Sequence, residues 1–120
     1  MPQKQQDMKT TSLLKDLRYD DNKPVITALL DTDTSKEVRV VMKAGQEMKE
    51  HKTKFPITVE MFEGTLDFGV LGDVLHLVKG DILSLDANIA HDLLATSDSI
   101  VRLTLSKLDT VNRVKDVANN

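Results

Sequence analysis

The chain has 120 residues, no cysteine, and a formal net charge of −3 with acids and bases interspersed. That length can form one domain with its own hydrophobic core, and the missing thiols exclude a disulfide framework and a thiolate metal site. The charge pattern leaves no basic footprint for nucleic acid, no apolar run approaches the ~18 residues of a membrane span, and the polar start Met1–Asp7 lacks the apolar centre of a signal peptide, so the composition fits a cytoplasmic protein.

Residues 1–11 read as a flexible N-terminal tail with nothing to bury. Ser12 is an N-cap candidate, and Leu13, Leu14 and Leu17 follow at helical spacing, which predicts one short helical turn. After a turn at Asp20–Pro24, Val25–Leu30 is apolar and partly β-branched and predicts a strand. A second turn, Asp31–Ser35, is dense in residues that bond their own backbone. Lys36–Met42 then alternates, with Val38, Val40 and Met42 on one face and Glu37 and Arg39 on the other, the pattern of a half-buried strand.

Beyond Gly45 the chain is polar through His51–Lys54. Alternation resumes at Ile57, with Val59 and Met61 on the same face. Gly64, Gly72 and Gly80, eight residues apart, open three short segments: Thr65–Val70, Val74–Leu77 and Ile82–Leu85. Ala90–Ala95 and Ser99–Ser106 complete the series. Short strands at even spacing with turn residues between them predict an all-β sandwich or barrel, one domain over 12–106. The tail 107–120 is polar, with Leu108, Val111, Val114 and Val117 at a helix-like spacing.

At this point the residues resemble a family. Gly45, five residues, His51-Lys52-Thr53, three residues, Ile57, six residues and Gly64 reproduce the spacing of the first cupin motif. Gly80, five residues, Asp86, one residue, Asn88, two residues, His91, three residues and Ala95 reproduce that of the second. The match runs from about Val38 to Leu105 and resembles a small single-domain cupin of the cupin 2 type. The resemblance implies a double-stranded β-helix, that is, a conical jelly-roll barrel of two antiparallel sheets, often a homodimer.

In such proteins two histidines and a glutamate of the first motif, with the histidine of the second, hold a metal. Residue by residue, His51 and His91 carry over, while Thr53 replaces a histidine and Ile57 replaces the glutamate. The set is therefore degenerate. A catalytic metal normally has three strong protein ligands and an open position, so His51 and His91 alone imply at most a weakly bound divalent metal. Glu60, the next carboxylate, has the opposite parity to Ile57 and points away on a regular strand.

Barrel mouths are favoured pocket sites, so the interior candidates for ligand contact are His51, Thr53, Ile57, Val59, Met61, Phe68, Leu83 and His91. His76, between Leu75 and Leu77, is expected on the outer surface and Asp73 and Asp81 in turns; Met42, Met48 and Met61 could line an adaptable apolar pocket, with ordinary core packing the expectation for Met42 and Met61. Val25–Leu30 is apolar on both faces, which asks for cover on both sides. A second subunit, its N-terminal strand packed or exchanged, is the expected cover. The expectation is a small-molecule-binding cupin barrel, non-catalytic or weakly metal-dependent. The alternatives are a metal-dependent cupin enzyme (dioxygenase, isomerase or decarboxylase type) and a stand-alone sensor domain acting through a partner protein.

Overall fold

The computed structural model describes residues 8–107, so Met1–Asp7 and the helix-like stretch 108–120 lie outside the described residues. Nine strands follow one another there: β1 (Val25–Asp31), β2 (Ser35–Met42), β3 (Glu47–His51), β4 (Ile57–Glu63), β5 (Leu66–Val70), β6 (Asp73–Leu77), β7 (Ile82–Leu85), β8 (His91–Ala95) and β9 (Ser99–Ser106). They form a five-stranded sheet in the order β1-β2-β9-β4-β7 and a four-stranded sheet in the order β3-β8-β5-β6. All pairings are antiparallel. Strands β2 to β9 give the paired four-stranded sheets of a jelly roll, and β1 extends one of them.

The inner faces follow from the two-residue period. Val38, Val40 and Met42 of β2 sit in register with Leu103, Val101 and Ser99 of β9. Ile57, Val59 and Met61 of β4 meet Leu105, Leu103 and Val101 on one side, and Ile57 and Val59 meet Leu85 and Leu83 of β7 on the other. From the opposite sheet come Leu66, Phe68, Leu77, Leu93 and Ala95, and all of these buried side chains form one apolar cluster. At about 25 cal/mol per Å² of apolar surface removed from water, such a cluster is the main force closing the two sheets on each other.

Turn chemistry sets where the strands end. Gly64 sits at φ +87°, and a Cβ there would lie 2.2 Å from the Asp98 carbonyl oxygen, so only glycine fits between β4 and the β8–β9 turn. The Asp81 carboxylate accepts the Val78 N–H at 2.9 Å and closes the turn before β7, as its sequence position predicts. Asp73 instead opens β6, paired with Val70. At the N-terminus the Ser12 carbonyl and Oγ accept the N–H groups of Lys15 and Leu14. The short turn expected there forms, as turns rather than a helix.

Two expectations change. The polar stretch Glu47–His51 is a strand, β3, paired with β8. And β2 is covered on both faces: Arg39 is 1 % exposed and Val41 0 %. The cover is the chain's own residues 8–24, which run across the outer face of the larger sheet. Arg39 Nη1 donates to the carbonyls of Leu13 (3.0 Å) and Lys15 (2.7 Å). Gln46 Nε2 donates to the Asp20 carbonyl at 2.6 Å, and Lys43 pairs with Asp21. A second subunit is therefore not needed to cover the outer face of β1–β2.

Candidate functional site

The two ends of the barrel differ in burial: one is fully sealed, and at the other Leu83, Leu85, Leu103 and Leu105 are only partly buried. At the sealed end Met42 and Ser99 are fully buried, and Ser99 Oγ donates to the carbonyls of Thr65 and Ser97. At the other end two crossover loops, 52–56 and 86–90, carry the chain from one sheet to the other. They are tied together by the Asn88 N–H donating to the Thr53 carbonyl at 2.7 Å. The loops link His51 to Ile57 and Leu85 to His91, so these four residues occupy the same end.

The row nearest that end in the smaller sheet reads Asp73, Val70, His91, His51 across the strands. A bulge between Met48 and His51 in β3 turns both of them toward the interior although they are three apart. The imidazoles of His51 and His91 meet edge-on, ring centroids 4.4 Å apart. Phe68 stacks on His91 with centroids 5.4 Å apart and planes 9° apart. Each histidine Nδ1 lies 2.8 Å from a backbone carbonyl two residues back, Lys49 for His51 and Ile89 for His91. A carbonyl only accepts, so each Nδ1 carries the proton. In the neutral ring that leaves Nε2 as a lone-pair acceptor. Among the described residues the one buried side-chain nitrogen or oxygen without a partner is Arg39 Nε, so neither histidine Nε2 is sealed away from water.

Burial pushes the His91 pKa below its ordinary value of 6.5, against the bond to the Ile89 carbonyl; the neighbouring His51 lowers it further and Asp92 opposes. His91 is therefore neutral at pH 7. Asp92 is the one acid that counters this. Ile57, at the position of the family's glutamate, is buried among apolar side chains. Glu60 lies on the outer face, 3.5 Å from the Arg102 guanidinium.

The other expected wall residues divide by depth. Val59, Met61 and Phe68 are 0 % exposed and form the packed floor. Leu83 is half-buried, and so are Leu85, Leu103, Leu105, Val70 and Met48, which pack against the same cluster. Of these, Met48 is the methionine expected from the sequence to line an apolar pocket; Leu85, Leu103, Leu105 and Val70 were not singled out as wall residues, although the inward parity of Leu103 and Leu105 was readable. The Thr53 hydroxyl donates to the Phe55 carbonyl at 2.7 Å within its own loop, so its proton is committed to holding that turn. His76 is on the outer face as expected, its Nδ1 2.6 Å from Asp67.

Two adjacent imidazoles with free Nε2 atoms are suitable ligands, but among the described residues no group of three or more His, Cys, Asp or Glu side chains could hold an ion. Two neutral nitrogens do not make the three-ligand site a catalytic metal needs. The residues do not fit that group.

No family model and no curated protein matches the sequence. Solved structures do match. An RmlC-like cupin protein from Desulfovibrio desulfuricans is 27% identical, with a TM-score of 0.75 over 82% of this chain and 96% of that one. A conserved protein with a double-stranded β-helix domain from Klebsiella pneumoniae is 21% identical, TM-score 0.76, over 85% and 87% of the two chains. KdgF from Halomonas sp. is 16% identical, TM-score 0.72, over 82% and 94%. The fold is thus the cupin double-stranded β-helix, as the motif spacing implied. Among the described residues no helix is long and apolar enough to cross a membrane.

Proposed function

We propose that the protein is a small-molecule-binding cupin barrel whose ligand contacts the less sealed end through His51 and His91, without a resident catalytic metal. The observation that carries this reading is the pair of imidazoles 4.4 Å apart, each with Nδ1 committed to a backbone carbonyl and Nε2 free. Around them the half-buried surface is apolar, from Leu83, Leu85, Leu103, Leu105, Val70 and Met48. A site of this kind accepts hydrogen bonds, and burial favours the neutral form of His91. The ligand class it suits is a small, largely apolar molecule bearing hydroxyl or N–H donors, such as a phenol or a hydroxylated ring.

A cytoplasmic homodimer belongs to the same proposal. On the inner side of the larger sheet, β1 extends past β2, leaving Ile26 57 % exposed beside exposed Ala28. An unpaired apolar strip on an edge strand is a surface that a second copy's β1 would cover.

Screening phenols, hydroxylated aromatics, sugars and small carboxylic acids by thermal shift tests the ligand reading. Donor-bearing aromatics should raise the melting temperature, and His51→Ala with His91→Ala should abolish the rise. Unchanged binding in that double variant would remove the site from the barrel mouth. Sedimentation at micromolar concentration tests the dimer, and a sole 13.4 kDa species would refute it.

A further inference from the structure

Arg39 is a full positive charge inside the protein. It is 1 % exposed, on the outer face of β2 beneath residues 8–24. Its Nη1 bonds the Leu13 and Lys15 carbonyls, its Nε has no acceptor, and no carboxylate pairs with it among the described residues. Guanidinium does not deprotonate to escape burial, and carbonyl dipoles satisfy hydrogen bonds without supplying the opposite charge. A buried charge in this state is costly unless it is paired.

Its neighbours do not pair with it. Across the strands Arg39 faces Arg102 on β9 and Thr27 on β1. The nearest acid on its own strand, Glu37, is already taken: its Oε1 accepts from Arg102 Nε at 2.9 Å and from Thr104 at 2.6 Å. Burial pushes the Glu37 carboxyl up, but those two bonds outweigh it and hold its pKa below the usual range. Glu60 also leans on Arg102. Arg39 is left beside a second guanidinium with no anion of its own.

A hollow of about 250 Å³ opens next to it, between the 12–18 turn and β1–β2. Arg39, Lys15 and Arg18 line it together with Asp16 and Thr27, three cations against one acid. Lys15 and Arg18 are the exposed cations of its lining. We propose that this hollow binds a small oxyanion, a phosphate ester or a carboxylate, which seats on the Arg39 guanidinium and is closed over by Lys15 and Arg18. The anion supplies the missing charge, and it ties residues 8–24 to the sheet through the residue that already holds them. The site lies on the outer face of the larger sheet and is independent of the barrel mouth, so its failure leaves the barrel reading standing.

The test is a titration of the full chain with inorganic phosphate and, separately, with acetate, each against sodium chloride at equal ionic strength. The Arg39 Nε–H signal is followed by ¹H–¹⁵N NMR and identified by its loss in Arg39→Lys. A saturable shift with phosphate, weakened roughly tenfold or more in Lys15→Ala/Arg18→Ala, is the expected result for a phosphate-bearing ligand. The same behaviour with acetate alone assigns a carboxylate. Lys15 and Arg18 are exposed, so the double variant keeps its fold. No saturable shift with either anion, or equal affinity in the double variant, overturns the proposal. As a second readout, ten times the dissociation constant of the bound anion should raise the wild-type Tm by about 5 °C and leave Arg39→Met unmoved; equal rises in both would also overturn it.

Discussion

His91 at the barrel mouth and Arg39 under residues 8–24 are both buried side chains, and they solve burial in opposite ways. The imidazole sheds its charge: burial lowers its pKa, Nδ1–H bonds the Ile89 carbonyl, and a neutral ring packs on Phe68. The guanidinium cannot do this, so its charge persists and waits for a partner. The comparison explains why isoleucine is tolerated at position 57. A neutral His91 ring needs no counter-ion, and Ile57 packs into the apolar core instead.

The comparison can be broken most strongly at that position. Ile57→Glu puts an acid on the histidine row. It should raise the His91 pKa above its present depressed value and increase affinity for nickel or zinc by about 100-fold, because a third ligand completes the set. Isothermal titration calorimetry checks the affinity. An unchanged weak affinity would show that position 57 does not reach the imidazoles.

Phe68→Ala should cost about 3–5 kcal/mol, as for other large-to-small core changes. It should also move the His91 pKa back toward 6.5 by admitting water beside the ring. Chemical denaturation and a histidine NMR titration give the two numbers, and a stability loss with no pKa change would detach the ring stack from the shift.

The pH dependence has a definite sign. A histidine whose folded pKa is depressed binds fewer protons folded than unfolded. Its contribution is fully present above the unfolded value near 6.5 and is lost as pH falls from there through the folded value. Stability should therefore drop between pH 7 and pH 5, and His91→Gln should flatten that part of the profile. An identical slope in the variant would assign the drop to other groups.

On the opposite face, Arg39→Met removes both bonds to residues 8–24. Amide exchange in the Ser12–Leu17 turn should accelerate by about tenfold or more while the barrel strands keep their protection. The smallest effect belongs to Glu60→Gln. Arg102 keeps its bond to Glu37, so the loss should stay within about 0.5 kcal/mol, as for an exposed pair.

Much of this was readable from the sequence. Eight of the nine strands follow from apolar β-branched runs, period-two alternation and the glycine spacing, and the resemblance carried by Gly45, His51, Gly64, Gly80 and His91 implied that both imidazoles share the barrel mouth. The strand that escaped was β3. Met48 is its one apolar residue, and the bulge puts Met48 and His51, three apart, on the same face, so no alternation survives for a pattern to detect. The second face of β2 escaped for another reason. Arg39 has the type and parity of a solvent-facing residue, and only the path of residues 8–24, set by tertiary contacts with Arg39 and Gln46, buries it. The depth of Val59, Met61 and Phe68 was legible as core, but their sealing beneath the half-buried leucines depends on how the two sheets close.

The most direct test of the account is a long-range ¹H–¹⁵N spectrum of the histidine rings followed through a pH titration. The account predicts that His51 and His91 are both the Nδ1–H tautomer when neutral, that an Nε2 signal of each moves when a donor-bearing ligand binds, and that His91 titrates below 6.5. An Nε2–H tautomer at either ring, or a His91 pKa above 6.5, would contradict it.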